Sequence, residues 1–330
     1  MHVLTMLERW LPGASISLTV ATSGVSTPVW RVAATWPHDR SEAFFLRLGE
    51  EPGEIRDGEV SIHQRLRARG VRVPDVVTWE SLPPELDRAA TLTRAMPGEP
   101  MSALAAALPP EAVTSAARAA GRDLARIGEE PVRGFGWTGF IRPNDQNGML
   151  HAEYATRNAW LAEYDQSLDT VLSKGLIPSA NVPLLQMAFT AWRDSTSESS
   201  DTATLAHGDF DATHIFCARD NATAAWTYSG IIDFGEARGA DPFYDLGHAL
   251  LHDNEGGNPS IFAALLAGYC EIRPVSRLDL DAITHQAVAI GVRHLAIAHR
   301  RGSRYTKVLI SRLTQLLGTQ FADDGGEIRS

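Results

Sequence analysis

Cysteine is scarce in this chain, and no apolar run is long enough to cross a bilayer. Only Cys217 and Cys270 occur among the 330 residues, which excludes a disulfide framework and a CxxC metal site and is typical of a reducing compartment. The N-terminal segment MHVLTMLERWLPG is interrupted by Glu8 and Arg9, so it resembles neither a signal peptide nor a spanning helix. We therefore expect a cytoplasmic protein with no membrane partner.

Basic residues are outnumbered by acidic ones. The chain has 30 Lys and Arg against 40 Asp and Glu, for a formal net charge of −10 at pH 7. Non-specific binding to nucleic acid needs a basic face, so we expect no nucleic-acid partner. An acidic surface mainly serves solubility, although it is also compatible with a cationic ligand.

The first third of the chain has the pattern of an antiparallel sheet. Alternating β-rich segments and turn residues predict strands at 15–21, 29–36, 43–48, 76–79 and 90–93, with a helix at about 54–69. The segment MPGEP at 96–100 contains two prolines and a glycine, which break regular structure. This segment is the predicted hinge between two domains.

Beyond the hinge the composition becomes helical. Amphipathic and alanine-rich segments predict helices at 109–127, within 151–175, and at about 242–251, 260–269 and 278–318. The basic, histidine-rich stretch 285–304, which includes His294, has the composition of a solvated helix face. The whole pattern predicts an α+β protein with a β-rich N-lobe over residues 1–95 and a mostly helical C-lobe over residues 96–330.

One group of polar residues indicates phosphoryl transfer. Asp209 in the segment HGDF precedes His214 by five residues, and Asp233 follows in the segment IIDFG. Phosphoryl transfer needs a carboxylate that orients the acceptor hydroxyl and a divalent cation that neutralises the β- and γ-phosphates. A loop that carries Asp209 and His214, followed by a β-hairpin that ends at Asp233, brings these groups to one point.

Two segments resemble the aminoglycoside phosphotransferase and choline kinase family. HGDFDATHIF at 207–216 resembles its catalytic loop, and IDFGEARGADPFYDL at 232–246 resembles its metal-binding segment and the acidic turn that follows. The resemblance implies a protein-kinase-like fold and transfer of the γ-phosphoryl of ATP or GTP to a hydroxyl of a small molecule. It also implies Asp209 as the catalytic base, with His214 and Asp233 as ligands of Mg²⁺ or Mn²⁺.

The resemblance extends to nucleotide-binding positions in the first third of the chain. It implies a phosphate-covering loop with Ser23, Gly24, Ser26 and Thr27, a phosphate-binding cation at Arg47 with Glu59 as its partner, and an adenine-binding linker at Arg94 and Met96. Two of the implied residues depart from the family pattern. Arg47 replaces the usual lysine, and its forked guanidinium is longer. His214 replaces the usual asparagine, as in the macrolide kinases, and offers a softer ligand.

Several residues near these motifs have simpler interpretations. Asp241 and Asp245 are expected to cap helices and brace the catalytic loop, and His207 is expected to bond to nearby backbone. His214 has two interpretations, direct metal ligation or a hydrogen bond to Asp209. The first is our prediction.

The acceptor is the most open question. Few residues separate the IDFG segment from GADP, which leaves no room for a protein-kinase activation loop and favours a small substrate. We expect an antibiotic, an aminoglycoside or a macrolide. A metabolite kinase acting on a sugar, amino alcohol or nucleoside is the alternative, and a binding module without catalysis is a third. The acidic residues that could meet an aminoglycoside, or simply be solvated, are Glu153, Asp165, Asp169, Asp253 and Glu255.

Overall fold

The computed structural model describes residues 2–21, 29–38, 40–52, 57–138, 149–194 and 202–320. The predicted phosphate-covering residues Ser23, Gly24, Ser26 and Thr27 lie outside these ranges. The predicted α+β class is confirmed, because an antiparallel sheet fills the first part of the chain and helices dominate the remainder.

The N-terminal sheet has five antiparallel strands in the order β1-β2-β3-β5-β4. Its strands are β1 (Ser15–Val20), β2 (Val29–Thr35), β3 (Ser41–Leu48), β4 (Val76–Glu80) and β5 (Ala90–Arg94). Alternation along β2 and β3 buries Val32, Phe44 and Leu46 on one face. That face is covered by α1 (His2–Trp10), which buries Met6 and Leu7. The sequence pattern does not predict α1, because the formation of so short a helix depends on burial against the sheet more than on helix propensity.

The helix α2 (Asp57–Ala68) belongs to a different core from the sheet that precedes it. Its Ile62 and Leu66 are buried in the large apolar cluster that is formed mainly by the C-terminal part of the chain. The predicted lobe boundary at residues 95 and 96 stays a prediction. Within the linker, β6 (Glu99–Pro100) pairs with a C-terminal strand. Gly98 has a φ of +87°, and a Cβ there would lie 1.9 Å from the Cys217 carbonyl oxygen, so the linker needs glycine at this point.

The rest of the described chain holds two small sheets and seven helices. The sheets have the orders β8-β13-β10-β7-β9 and β12-β11-β6. The strands are β7 (Pro131–Arg133), β8 (Gly136–Trp137), β9 (Leu150–His151), β10 (Thr202–Ala206), β11 (Ile215–Arg219), β12 (Trp226–Ile231) and β13 (Arg238–Ala240). The helices are α3 (Pro110–Ile127), α4 (Arg157–Ser173), α5 (Val182–Asp194), α6 (Tyr244–Leu251), α7 (Phe262–Cys270), α8 (Arg277–Arg300) and α9 (Thr306–Gln320). None of the helices in the described ranges is long and apolar enough to cross a membrane.

The predicted single helix over 278–318 is wrong, because the chain forms α8 and α9 with a reversal between them. Gly302 adopts a φ of +61°, and the Ser303 N–H donates to the Ala298 carbonyl 2.9 Å away. The amphipathic pattern continues on both sides of the reversal, which is why periodicity alone missed it.

The interpretation of His294 is also corrected, because its ring is partly buried and packs beside His248 and His252 of the α6 region. It lies one helical turn from the buried residues Gly291 and Ala298, on the face of α8 that packs against α6. Its ring centroid is 5.5 Å from that of His248 and 5.7 Å from that of His252. The composition of residues 285–304 does not reveal that His294 is partly buried.

Candidate active site

The loop between β10 and β11 is held from below by a buried carboxylate. Asp245, in the first turn of α6, accepts hydrogen bonds from the N–H groups of His207 at 2.7 Å and Gly208 at 2.9 Å. Asp241 accepts two hydrogen bonds of 2.9 Å from the buried Arg157 of α4. The predicted bracing of the catalytic loop is therefore confirmed for Asp245, whereas Asp241 binds α4 instead. Asp241 and Asp245 do not act as helix caps, because no side-chain cap precedes α6.

His207 connects this loop to the segment that carries Asp233. Its Nε2 lies 2.8 Å from the Ile232 carbonyl oxygen, as predicted for a backbone contact. Burial lowers the pKa of His207, so the neutral ring donates its Nε2–H to that carbonyl. Gly208 follows with a φ of +90°, and a Cβ there would lie 1.9 Å from the Glu236 carbonyl oxygen. The loop therefore requires glycine immediately before Asp209.

Asp209 stands at the surface of the loop beside a buried histidine that the sequence analysis missed. Its carboxylate is about half exposed, and Oδ1 lies 3.3 Å from Nε2 of His248, a fully buried residue of α6. Burial opposes ionisation of Asp209, but the contact with His248 and the charge of that ring lower the pKa of the carboxyl well below its usual value. Asp209 is thus ionised at neutral pH. His248 lies 39 residues beyond Asp209, in a segment with no distinguishing pattern, so only the fold connects them.

Arg47 binds two carboxylates at once. Its Nη1 donates to Oε1 of Glu59 at 2.9 Å, and its Nη2 donates to Oδ1 of Asp233 at 2.8 Å. The predicted pairing of Arg47 with Glu59 is confirmed, and the contact with Asp233 adds a second partner. A forked guanidinium can reach both carboxylates at the same time, whereas a lysine offers a single ammonium. Arg47 therefore joins β3, α2 and the segment after β12.

Asp233 and His214 face each other across a gap of metal-binding size. Asp233 adopts a left-handed conformation with a φ of 65°, and its Oδ2 lies 4.0 Å from Nε2 of His214. Two ligands that each lie about 2.0–2.2 Å from one cation are at most about 4.4 Å apart, so the gap fits a divalent metal. His214 Nδ1 is 3.5 Å from a carboxylate oxygen of Asp211 and 3.3 Å from Oγ1 of Thr213. These acceptors favour hydrogen on Nδ1, which leaves the Nε2 lone pair for the metal.

Phe234 locks the position of Asp233. Its ring is buried and makes edge contacts with His207, at a centroid distance of 4.7 Å, and with His63 of α2, at 5.3 Å. On the other side, Nε1 of Trp137 donates to the Gly235 carbonyl at 3.0 Å. Asp233 is therefore positioned by contacts of the two residues that follow it, through aromatic packing of Phe234 and a backbone hydrogen bond at Gly235.

The predicted adenine-linker residues differ in their surroundings. Arg94, the last residue of β5, forms an ion pair with Glu42 and lies over the ring of Phe44. Its side chain thus has partners on the sheet. Met96 lies against β12, with its Sδ 3.0 Å from where a Cβ on Gly230 would stand. Among the described residues the backbone N–H of Met96 has no hydrogen-bond partner, so it is available to a ligand.

Comparisons with known proteins agree with this geometry. The model of the APH phosphotransferase enzyme family matches residues 17–279, which is most of the chain. A search of curated proteins gave no significant sequence match.

Solved structures share the fold at low sequence identity. A thermostable mutant of aminoglycoside phosphotransferase APH(4)-Ia, in a ternary complex with ADP and hygromycin B, has a TM-score of 0.64 at 15% identity, and the match covers 100% of both chains. A protein assigned as a fructosamine-3-kinase, from Thermobifida fusca YX-ER1, has a TM-score of 0.58 at 17% identity, over 96% of this chain and 99% of that one. An aminoglycoside-3′-phosphotransferase of type VIII has a TM-score of 0.50 at 18% identity, over 87% and 96%.

The family match includes both segments 207–216 and 232–246, and the solved structures share the α+β fold of this chain. The chain therefore belongs to the APH phosphotransferase enzyme family.

Proposed function

We propose that this chain transfers the γ-phosphoryl group of ATP or GTP to a hydroxyl of a small molecule, with Asp209 as the catalytic base. One observation carries the proposal. A continuous set of charged contacts runs from Glu59 through Arg47 to Asp233, faces His214, and lies next to the loop that presents Asp209. Each part that phosphoryl transfer needs is thus present, which argues against a binding module without catalysis.

The metal site would consist of Asp233 and His214. When bound there, Mg²⁺ or Mn²⁺ would neutralise charge on the β- and γ-phosphates. Asp233 offers Oδ2 because Oδ1 already accepts from Arg47. The Arg47 guanidinium would bind phosphate oxygens, since Glu59 and Asp233 hold it in a fixed orientation. The Met96 N–H would receive the base.

Asp209 would act mainly by orientation. A carboxylate with a lowered pKa is a weak base, but phosphoryl transfer depends more on positioning the attacking hydroxyl than on early proton removal. Asp209 would accept a hydrogen bond from the acceptor hydroxyl and take its proton as the new P–O bond forms. The contact with His248 holds Oδ1 and leaves Oδ2 for the acceptor.

We propose an antibiotic as the acceptor, because the fold is shared with a kinase that was crystallised with hygromycin B. The acidic residues give little further support. Asp165 pairs with Arg193, Glu255 contacts His252 and Tyr305, and Asp253 accepts from the start of α7. Glu153 and Asp169 are exposed, and Glu153 also contacts the Tyr154 hydroxyl.

A sugar-type metabolite is the second candidate acceptor. It is favoured by the likeness to the protein assigned as a fructosamine-3-kinase. Either acceptor is compatible with a cytoplasmic enzyme, where nucleotide is available and the free thiols of Cys217 and Cys270 remain reduced.

Replacing Asp209 with asparagine should abolish transfer while nucleotide binding remains. The change keeps the size of the side chain but removes the proton acceptor, so kcat should fall by about 10²–10⁴-fold. Steady-state turnover and titration calorimetry with a non-hydrolysable ATP analogue measure the two effects separately. Asp233→Asn is the matched comparison, because it should weaken binding of the metal–nucleotide complex itself. Turnover within tenfold of wild type in Asp209→Asn would remove Asp209 from the mechanism.

Replacing His214 with asparagine should shift metal preference. Magnesium prefers oxygen ligands, whereas manganese accepts imidazole nitrogen, so the wild-type site should favour Mn²⁺ and His214→Asn should raise the Mg²⁺-to-Mn²⁺ ratio of turnover rates. The ratio is measured at saturating nucleotide with each metal alone. An unchanged ratio would mean that His214 does not ligate the metal.

Expression of the chain in a susceptible bacterium should raise the inhibitory concentration of an aminoglycoside or a macrolide. Cells that express Asp209→Asn at the same level are the control, because they should remain as susceptible as cells without the chain. If wild type protects against neither class and the purified chain phosphorylates a sugar-type metabolite, the acceptor is that metabolite and not an antibiotic.

A further inference from the structure

Three histidines form a cluster behind the catalytic loop, and only one of them, His248, contacts a residue of the proposed phosphoryl transfer. They are His248 in α6, His252 directly after α6, and His294 in α8. One nitrogen from each ring can be chosen so that all three lie within 4.8 Å of one another. The His248 and His252 ring centroids are 4.4 Å apart. A histidine cluster of this kind is separate from the His214 and Asp233 site.

The hydrogen bonds around the cluster determine which nitrogens point inward. His248 Nδ1 lies 3.1 Å from the Phe210 carbonyl oxygen, which can only accept, so Nδ1 carries hydrogen. His252 Nδ1 lies 2.6 Å from a carboxylate oxygen of Glu255, which likewise fixes hydrogen on Nδ1. Metal-bound histidines are commonly held by such a contact to a carbonyl or a carboxylate. Nε2 is thereby the nitrogen that each of these two rings has left for a metal.

The two Nε2 atoms are also buried without a hydrogen-bond partner among the described residues. A buried polar atom without a partner costs about 1–3 kcal/mol, so such atoms usually have a ligand or a function. Burial opposes protonation of His248, but the contact of its Nε2 with Oδ1 of Asp209 at 3.3 Å outweighs burial and raises the pKa of His248, so a metal that binds this nitrogen displaces a proton. Burial lowers the pKa of His252 and of His294, which favours the neutral imidazoles that bind metal.

We propose that His248, His252 and His294 form a binding site for a divalent transition metal of the zinc class. Three neutral imidazoles suit Zn²⁺, Cu²⁺ or Ni²⁺ and disfavour Mg²⁺, which prefers oxygen. Nitrogens bound at about 2.0–2.1 Å in a tetrahedron lie about 3.3 Å apart. The ring nitrogens would therefore draw together by small side-chain rotations when the metal binds.

Metal at this site would reach the catalytic loop through His248. The metal would bind Nε2 in place of its proton, which leaves to solvent, so His248 would no longer carry the proton that attracts Asp209. The divalent cation would thus replace that proton as the positive neighbour of Asp209. The binding site itself does not depend on the proposed phosphoryl transfer, because no residue of the cluster binds nucleotide in that proposal.

Titration calorimetry of the chelator-treated full chain with ZnCl₂, in the absence of nucleotide, tests the site. Wild type should take up one tight equivalent, and His252→Gln and His294→Gln should each weaken it by at least about tenfold. His299→Gln, on the same helix and outside the cluster, and His214→Asn, at the magnesium site, should both retain the tight equivalent. MgCl₂ should produce no binding at the cluster.

The visible spectrum of the Co²⁺-loaded chain supplies a second readout. Low-coordinate Co²⁺ with imidazole ligands should give strong absorption bands in wild type that disappear in His252→Gln. Circular dichroism checks that the variants remain folded. Absence of a tight zinc equivalent in wild type would overturn the proposal whether or not any variant folds. Retention of that equivalent in both folded cluster variants would also overturn it.

Discussion

The double ion pair of Arg47 is the interaction on which the site depends. The Arg47 guanidinium, which is about one-fifth exposed, binds Glu59 and Asp233. It thereby joins the N-terminal sheet, α2 and the segment that carries Asp233. A hydrogen bond between charged groups contributes about 1.5–3 kcal/mol when it is largely shielded from water, as the bond to Glu59 is, and the bond to the 44% exposed Asp233 contributes less because water screens it. In the absence of phosphate, the two carboxylates would otherwise repel each other across the site. Arg47 thus holds the two carboxylates together in the absence of nucleotide and metal.

A second layer of buried polar contacts holds the catalytic loop from behind. Asp245 binds two loop N–H groups, and Arg157 ties Asp241 to α4. Removing one partner of a buried ion pair typically costs about 3–5 kcal/mol, so these contacts are strong constraints on the loop conformation. The exposed pair of Asp165 with Arg193 contributes far less, because exposed ion pairs are worth about 0–1 kcal/mol. The contacts of Asp245 and Arg47 thus hold the segments that carry Asp209 and Asp233.

Much of this could be predicted from the sequence, because local patterns determine it. Strand alternation predicted the N-terminal sheet, and the spacing of Asp209, His214 and Asp233 predicted a shared site. What could not be predicted depends on contacts between distant segments. The helix α1 exists because Met6 and Leu7 find a sheet to cover. The histidine cluster unites α6 with α8, which no local pattern in the sequence reveals.

The affinity of wild type and Arg47→Ala for a magnesium complex of a non-hydrolysable ATP analogue tests the account most directly. Titration calorimetry should show binding at least about tenfold weaker in Arg47→Ala, which corresponds to a loss of about 1.4 kcal/mol or more. Arg47→Lys should lie between the two, because it restores charge without the fork. Arg40→Ala, which removes an exposed side chain directly before β3, should bind the complex as wild type does. Equal affinity in Arg47→Ala and wild type would contradict the central role given to Arg47.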